Sequence, residues 1–342
     1  MSPNAPSPSV KRALVVTTIN APNACLRSLS DGAGRHGIPF FVAGDTKSPA
    51  DFALPHCEYY GIDRQVSEFP RFCELLPTRH YVRKNVAYLA AIRAGAAEIQ
   101  ETDDDNFPRA EFWSALPARI KAEAVRAKGK WLNVYRLFSD SFIWPRGLPL
   151  EHVHGSNAFE SDGSREVEPL IAQGLADDNP DVDAVFRMTR ELPFTFNMRG
   201  PVWLAPGTWC PFNSQNTIFR KPAFPLLYLP SKCTFRMTDI WRSFVAQRCL
   251  WELGGGVIFH APTVYQERNE HNLLRDFEDE VPGYRLNDKI RLALDACRLD
   301  PPDTIGNLIR CYEALVGGSF LPADELPLLR RWCEGLEGDR NA

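Results

Sequence analysis

Apolar positions fall first in an unbroken run and later at a helical period. Ala13-Leu14-Val15-Val16, within the stretch from Arg12 to Asn20, lies between a Pro/Ser-rich segment and Pro22. A run of this kind predicts a strand covered on both faces, as in a parallel sheet. A helical stretch over 26–36 and a short strand over 39–43 follow, and the order strand-helix-strand begins a doubly wound sheet. Between Thr78 and Gly95, Val82, Val86 and Leu89 recur at helical spacing, with Thr78 as cap and Gly95 as stop. That helix delivers the chain to 98–102, to the acidic run Asp103-Asp104-Asp105, and to a second helix opened by Pro108. Further along, the pattern predicts a strand over 131–135, a helix over 168–175 and a turn entering a strand over 181–187. A helix from Thr238 to Leu253 stops at Gly254-Gly255-Gly256. Strand-like residues over 257–260 follow these glycines, so they end a helix and do not cradle a phosphate. Beyond Asn272 the chain is helical and charged, and Pro301-Pro302 precedes two short helices reaching about Glu334.

With 342 residues, 44% hydrophobic and 24% charged, the chain suffices for one large α/β domain or two smaller ones. The expected organisation is a disordered tail over 1–11, one domain over 12–295 and a helical extension over 296–342. The net charge of -4 gives no overall attraction to nucleic acid or to an anionic membrane. No run reaches the length of a membrane span, and 1–11 lacks the apolar core of a secretory signal, so a cytoplasmic location is expected. The nine cysteines form no Cys-x-x-Cys pair and read as reduced, buried small hydrophobes. Nothing in the sequence sets the oligomeric state.

Candidate chemistry starts at the acidic triplet. If it leaves a strand, alternation puts Asp103 and Asp105 on one side and Asp104 on the other. Two hard oxygen ligands suit Mg²⁺ or Mn²⁺, which takes one or two carboxylates and completes its shell with water and substrate phosphates. The alternative is that Asp105 or Asn106 caps the next helix while the other carboxylates are solvated. Thr17, Asn20, Asp45 and Lys47 stand at strand ends, where doubly wound sheets bind ligands, although Gly-Asp and Ser-Pro also make ordinary turns. Arg83-Lys84-Asn85 lies off its helix's apolar stripe, to meet a diphosphate or to form a solvated basic face. His152 and His154 read as loop histidines. Asn213-Ser214-Gln215-Asn216-Thr217 packs five amide or hydroxyl side chains between apolar residues, a density costly to bury unless a sugar or the turn itself pairs with it. Asp239, in the first turn of its helix, complements the helix dipole at the least.

Several motifs in order resemble the STELLO family of glycosyltransferase-like proteins. They are Glu101-Thr102-Asp103-Asp104-Asp105-Asn106, Ile143-Trp144-Pro145-Arg146-Gly147, Asp181-Val182-Asp183-Ala184, Ala205-Pro206-Gly207-Thr208 with Pro211 to Thr217, and Asp239-Ile240-Trp241-Arg242-Ser243 followed by Ala246-Gln247-Arg248. A weaker likeness, through the Asp run, Val182-Asp183-Ala184 and Asp239-Ile240-Trp241, is to the reversibly glycosylated proteins that act as UDP-arabinopyranose mutases. Asn216 to Phe224 also resembles the Asn-x-x-Phe-Arg-x-x-Ala-Phe pattern of many GT-A transferases.

The resemblance implies a GT-A type fold for nucleotide-diphospho-sugar transfer: a Rossmann-like mixed α/β sheet flanked by helices, here with a short helical tail. It implies a metal, Mn²⁺ or Mg²⁺, held by Asp105 and Asp103, with a C-terminal histidine as third ligand, His271 ahead of His260. Asp239 becomes the base or the acceptor ligand. The substrate set comprises Thr17, Asn20, Asp45, Lys47, Arg83, Lys84, Asp104, Asp183, Asn213, Gln215, Asn216, Trp241 and Arg242. The expected activity is transfer from a nucleotide sugar, a UDP-sugar, to a glycan or other hydroxyl acceptor. A nucleotide-sugar mutase, a nucleotidyltransferase and a silent scaffold on the same fold are the alternatives. Plant STELLO members are Golgi membrane proteins tied to cellulose synthase assembly, a role not expected of a chain without a span.

Overall fold

The computed structural model describes residues 12–268 and 272–337. Strands β1 (Arg12–Thr17), β2 (Phe40–Ala43) and β3 (Glu58–Tyr60) run parallel, and β4 (Glu98–Thr102) joins β1 on its other side, also parallel. Alternation divides their side chains between two cores. Ala13, Val15, Phe41 and Ala43 enter one, and Leu14, Val16, Phe40 and Val42 the other. Helix α1 (Ala24–His36) covers the second face. Asn23 starts it by accepting the Leu26 N–H at 2.8 Å, and Gly37, at φ +63°, ends it. Short helices α2 (Ile62–Glu68) and α3 (Pro70–Cys73) lead to α4 (Lys84–Arg93) on the first face. The helix expected from Thr78 begins later, after a 3₁₀ turn over Tyr81–Arg83.

Next come β5 (Asn106–Pro108), β6 (Ile120–Ala127), β7 (Phe159–Val167), β8 (Ile171–Asp177), β9 (Val202–Leu204), β10 (Asn216–Arg220) and β11 (Ile258–Gln266). Among the described residues the sheet order is β3-β2-β1-β4-β10-β8-β11-β9-β6-β7, with β5 paired to β11. β10 lies antiparallel between β4 and β8, so the sheet is mixed, and the fold is the helix-flanked α/β type expected.

Four local expectations are corrected. Residues 168–175 form no helix, because Ile171–Asp177 is buried along its length as a central strand between β10 and β11. Gly174 permits that fit, since a Cβ there would lie 2.3 Å from the Asn216 side-chain amide. Pro108 ends an edge strand and opens no helix; an edge tolerates its missing N–H. Residues 131–135 give a single bridge at Trp131 and a 3₁₀ turn over Val134–Leu137. The segment at 181–187 enters helix α5 (Ala184–Thr189), capped by Asp183 through the Phe186 N–H at 2.7 Å.

The C-terminal third packs onto the sheet as α6 (Thr238–Glu252), α7 (Leu273–Asp295), α8 (Thr304–Gly317) and α9 (Glu325–Glu337). Trp332 is fully buried against Phe72, Tyr88 and Tyr228. Glu325 accepts the backbone N–H groups of Ser231 and Lys232 at 3.0 and 2.8 Å, tethering the loop that leads into α6. The contact that fixes α6 over β4 is ionic. Arg242 places its guanidinium 2.8 Å from Glu101, both fully enclosed, with Tyr88 donating to the same carboxylate. Phe212 and Phe219 lie under the guanidinium. Burial alone would lower the Arg242 pKa, but Glu101 outweighs it and raises it.

Two stability predictions result. Removing one partner of a buried pair strands the other charge at a cost of about 3–5 kcal/mol, whereas replacing both can be nearly neutral. Arg242→Met should therefore lose about that much in urea melts, and adding Glu101→Gln should restore part of it; a loss below about 1 kcal/mol would contradict the pairing. Burial pushes the Asp183 carboxyl up to about 6, against the opposing bonds from Phe186 and Trp144. Between the unfolded value and about 6 the folded chain keeps a proton that the unfolded chain has released. This stabilisation is full below the unfolded pKa and is lost as pH rises through the folded one, a change on the order of 3 kcal/mol. Asp183→Asn should flatten the stability curve between about pH 4 and 7, and an unaltered slope would contradict the assignment.

Candidate functional site

The carboxyl ends of β1, β2 and β4 open into a cavity of about 560 Å³, closed on the far side by the start of α6 and the end of β11. This is where an open α/β sheet binds ligands. The acidic triplet forms its rim as a turn, not as a continued strand, so its side chains do not alternate. Instead, all three carboxylates border the cavity and each has different partners. Asp103 accepts from the Tyr81 hydroxyl at 2.6 Å and from Lys84 Nζ at 2.9 Å. Asp104 turns to the end of β1, where Thr18 and Asn20 donate to it. Burial raises its pKa against those bonds. Asp105 accepts from Gln266 Nε2 at 3.0 Å, at the end of β11.

Across the cavity, Asp239 is held by Arg146 through two contacts of 3.0 and 2.9 Å. The same guanidinium grips Asp181 at 2.7 and 2.8 Å, so one arginine bridges two buried carboxylates. Burial would raise the Asp239 carboxyl, but Arg146 prevails and holds it below the usual range. Gly147 makes the approach possible. It adopts φ +91°, and a Cβ there would meet Ile240 of α6 at 2.4 Å.

Of the residues singled out in the sequence, Thr17, Asn20, Asp45, Lys47, the triplet and Asp239 line this cavity, and Asn213 and Gln215 line a narrower recess that opens from it. Asp45 is committed to backbone: it accepts the Thr46 and His80 N–H groups at 2.6 and 2.9 Å, and the backbone of Arg79, Thr46 and His80 holds its pKa down against burial. Six residues proposed as substrate contacts stand outside the lining. Arg83 is buried on the Pro77 and Leu76 carbonyls, Asn216 lies inside β10 bonded to Thr263, and Asp183 caps α5. Trp241 donates to Asn287, and Arg242 pairs with Glu101. Lys84 is fully enclosed and reaches Asp103, the Thr102 carbonyl and the Ser214 carbonyl, so it sits behind the triplet. In each case a polar atom found a protein partner that the linear pattern does not show. His271 lies outside the described residues. His260 is half-buried on β11, with Nδ1 2.9 Å from the Ala261 carbonyl, and is not part of the cavity lining.

The structure adds Tyr81, Arg146, Asp181, Arg236, Gln266 and Arg268 to the site. Arg146 had a signal in the sequence, as the cation before a glycine in Trp144-Pro145-Arg146-Gly147. Gln266 had none beyond its place at the end of a strand.

Among the described residues there is no cluster of three or more His, Cys, Asp or Glu able to cage a metal, and no helix long and apolar enough to cross a membrane. Residues 236–336 match the sequence profile of the family described as STELLO glycosyltransferases. The probable glycosyltransferase STELLO2 of Arabidopsis thaliana is 31% identical over 313 residues, 84% of this chain and 39% of that one. The probable glycosyltransferase STELLO1 of the same plant is 32% identical over 279 residues, 74% and 35% of the two chains. The chain thus spans under two fifths of the length of these curated relatives. Solved structures similar to it include a mycobacterial protein, at a TM-score of 0.43 and 10% identity over 85% of this chain and 78% of that one. Another is M. tuberculosis glucosyl-3-phosphoglycerate synthase, at 0.39 and 11% over 83% and 78%. By sequence, over most of its length, this chain is a relative of the STELLO glycosyltransferases.

Proposed function

We propose that the chain transfers a sugar from a nucleotide-sugar donor, a UDP-sugar, to a hydroxyl acceptor with the help of Mn²⁺ or Mg²⁺. The observation that carries this reading is the triplet at the mouth of the cavity, facing Asp239 across it. A cation with few protein ligands fits the donor set. Asp103 and Asp105 offer hard oxygens at the rim, and Mg²⁺ or Mn²⁺ needs no more than one or two carboxylates when phosphates and water complete the shell. When bound, it would neutralise charge on the departing diphosphate.

The remaining roles belong to the chain. Lys84 and Tyr81 hold the Asp103 carboxylate in one orientation, and Thr18 and Asn20 do the same for Asp104. Thr17, Asn20 and Lys47 border the end nearest β1 and β2, where the nucleotide would lie. Asp239 suits the acceptor-ligand role better than that of a base. Arg146 occupies both its oxygens and keeps it ionised, which makes it a weak proton acceptor and a fixed hydrogen-bond acceptor.

Asp105→Ala should remove the Mn²⁺-dependent part of UDP-sugar binding in calorimetry while the melting temperature stays within a few degrees; unchanged affinity would sink the metal assignment. Asp239→Asn should lower turnover by about 10²-fold or more with donor affinity little changed. A group whose folded pKa is depressed loses its charge only as pH falls through that value. The Asp239 contribution should therefore not titrate between about pH 5 and 8, and a wild-type acidic limb in that range that disappears in Asp239→Asn would show that it acts as a base.

A further inference from the structure

Beyond Asp239 the cavity continues into a recess of about 70 Å³. A water molecule takes roughly 30 Å³, so the space suits one small polyatomic group and not a sugar ring. Four arginines line the recess, Arg146, Arg187, Arg236 and Arg268, against three carboxylates, Asp103, Asp181 and Asp239. Arg146 is taken up by Asp181 and Asp239, and Asp103 by Lys84. Arg236 and Arg268 are held from α7, by Glu280 at 2.8 Å and Asp276 at 2.7 Å, and neither of these carboxylates lines the recess. Arg187 makes no ion pair among the described residues. It is fixed by the Pro180 carbonyl at 2.8 Å and by Asn179 at 3.4 Å. Burial, then the neighbouring Arg268 and Arg236, push the Arg187 pKa down to about 9, outweighing the nearby Asp181 and Asp276 carboxylates.

Neutral donors face the same space. Gln215 is 6% exposed, and its side-chain amide makes no hydrogen bond among the described residues. Asn213, equally enclosed, uses its Oδ1 on the Gln215 N–H, which leaves its amino group as a donor. Buried amides of this kind are paired in most proteins, so their pairing is expected from a ligand.

We propose that Arg187, Arg236 and Arg268, with the Asn213 and Gln215 amides, form a subsite for an anionic group, a carboxylate or a phosphate. The group is carried by the molecule whose hydroxyl sits at Asp239, so the acceptor is itself an anion. The recess lies on the Asp239 side of the cavity, away from Thr17, Asn20 and Lys47. Naming the carrier as acceptor rests on the glycosyltransferase reading; the anion subsite does not.

The test is calorimetric titration of inorganic phosphate into the full chain, first alone and then saturated with UDP and Mn²⁺, with glucuronate and glucose as a second pair of probes. Phosphate should bind in both states, and Arg187→Met and Arg268→Gln should each weaken it by about tenfold or more, the worth of a charge-assisted hydrogen bond. Asp105→Ala should leave phosphate binding intact while losing the Mn²⁺-dependent UDP response. Glucuronate binding above that of glucose would identify a carboxylate as the source, and phosphate alone would identify a phosphate. Phosphate binding that is absent, or that keeps its wild-type strength in both arginine variants, overturns the subsite. Competition between phosphate and UDP also overturns it, because the arginines would then be holding the donor diphosphate. Failure of UDP to bind, with arginine-dependent phosphate binding retained, would refute the donor reading and leave the subsite standing.

Discussion

The pairing of Glu101 with Arg242 is the constraint on which the site depends. Glu101 is the penultimate residue of β4, two before the acidic triplet, and Arg242 lies one helical turn beyond Asp239. Locking these two fixes the triplet and Asp239 on opposite walls of one cavity. Neither charge has water to fall back on, so the geometry is enforced by the desolvation cost of any arrangement that separates them. Tyr88 brings α4 into the same contact, and Lys84, one turn earlier on that helix, reaches forward to Asp103. A structural ion pair and the rim of the site are therefore parts of one packing unit.

The second device of the site is the bridge Asp181–Arg146–Asp239. An isolated carboxylate at Asp239 would respond to burial by taking up a proton, whereas the shared guanidinium keeps it charged and fixed. The bridge also joins the start of α6 to the loop before α5, so the cavity wall and the recess beyond it are held together. At that recess Arg187 forms no ion pair among the described residues and is held by the Pro180 carbonyl.

What could be read in advance followed from periodicity and from motif order. β1, β2, α1 and α6 were legible because their apolar spacing and caps are local properties. The triplet at the end of β4 was legible because strand ends of a doubly wound sheet are where ligands bind. Ile171–Asp177 misled because a strand buried on both faces among small residues has no alternation to show. Arg83, Asp183, Trp241 and Arg242 look functional in the chain, yet their partners are Gln65, Trp144, Asn287 and Glu101, contacts made only when distant segments meet. The same nonlocality hid Gln266 and the arginine recess, since nothing along the chain announces that residues 187, 236 and 268 converge.

A crystal structure of the chain soaked with a UDP-sugar and Mn²⁺ tests the central claim most directly. The account predicts the metal on Asp105 at the rim, the diphosphate against it, the nucleoside toward Thr17 and Lys47, and the sugar directed toward Asp239. Nucleotide density elsewhere on the surface, or a metal bound without contact to the triplet, would contradict it.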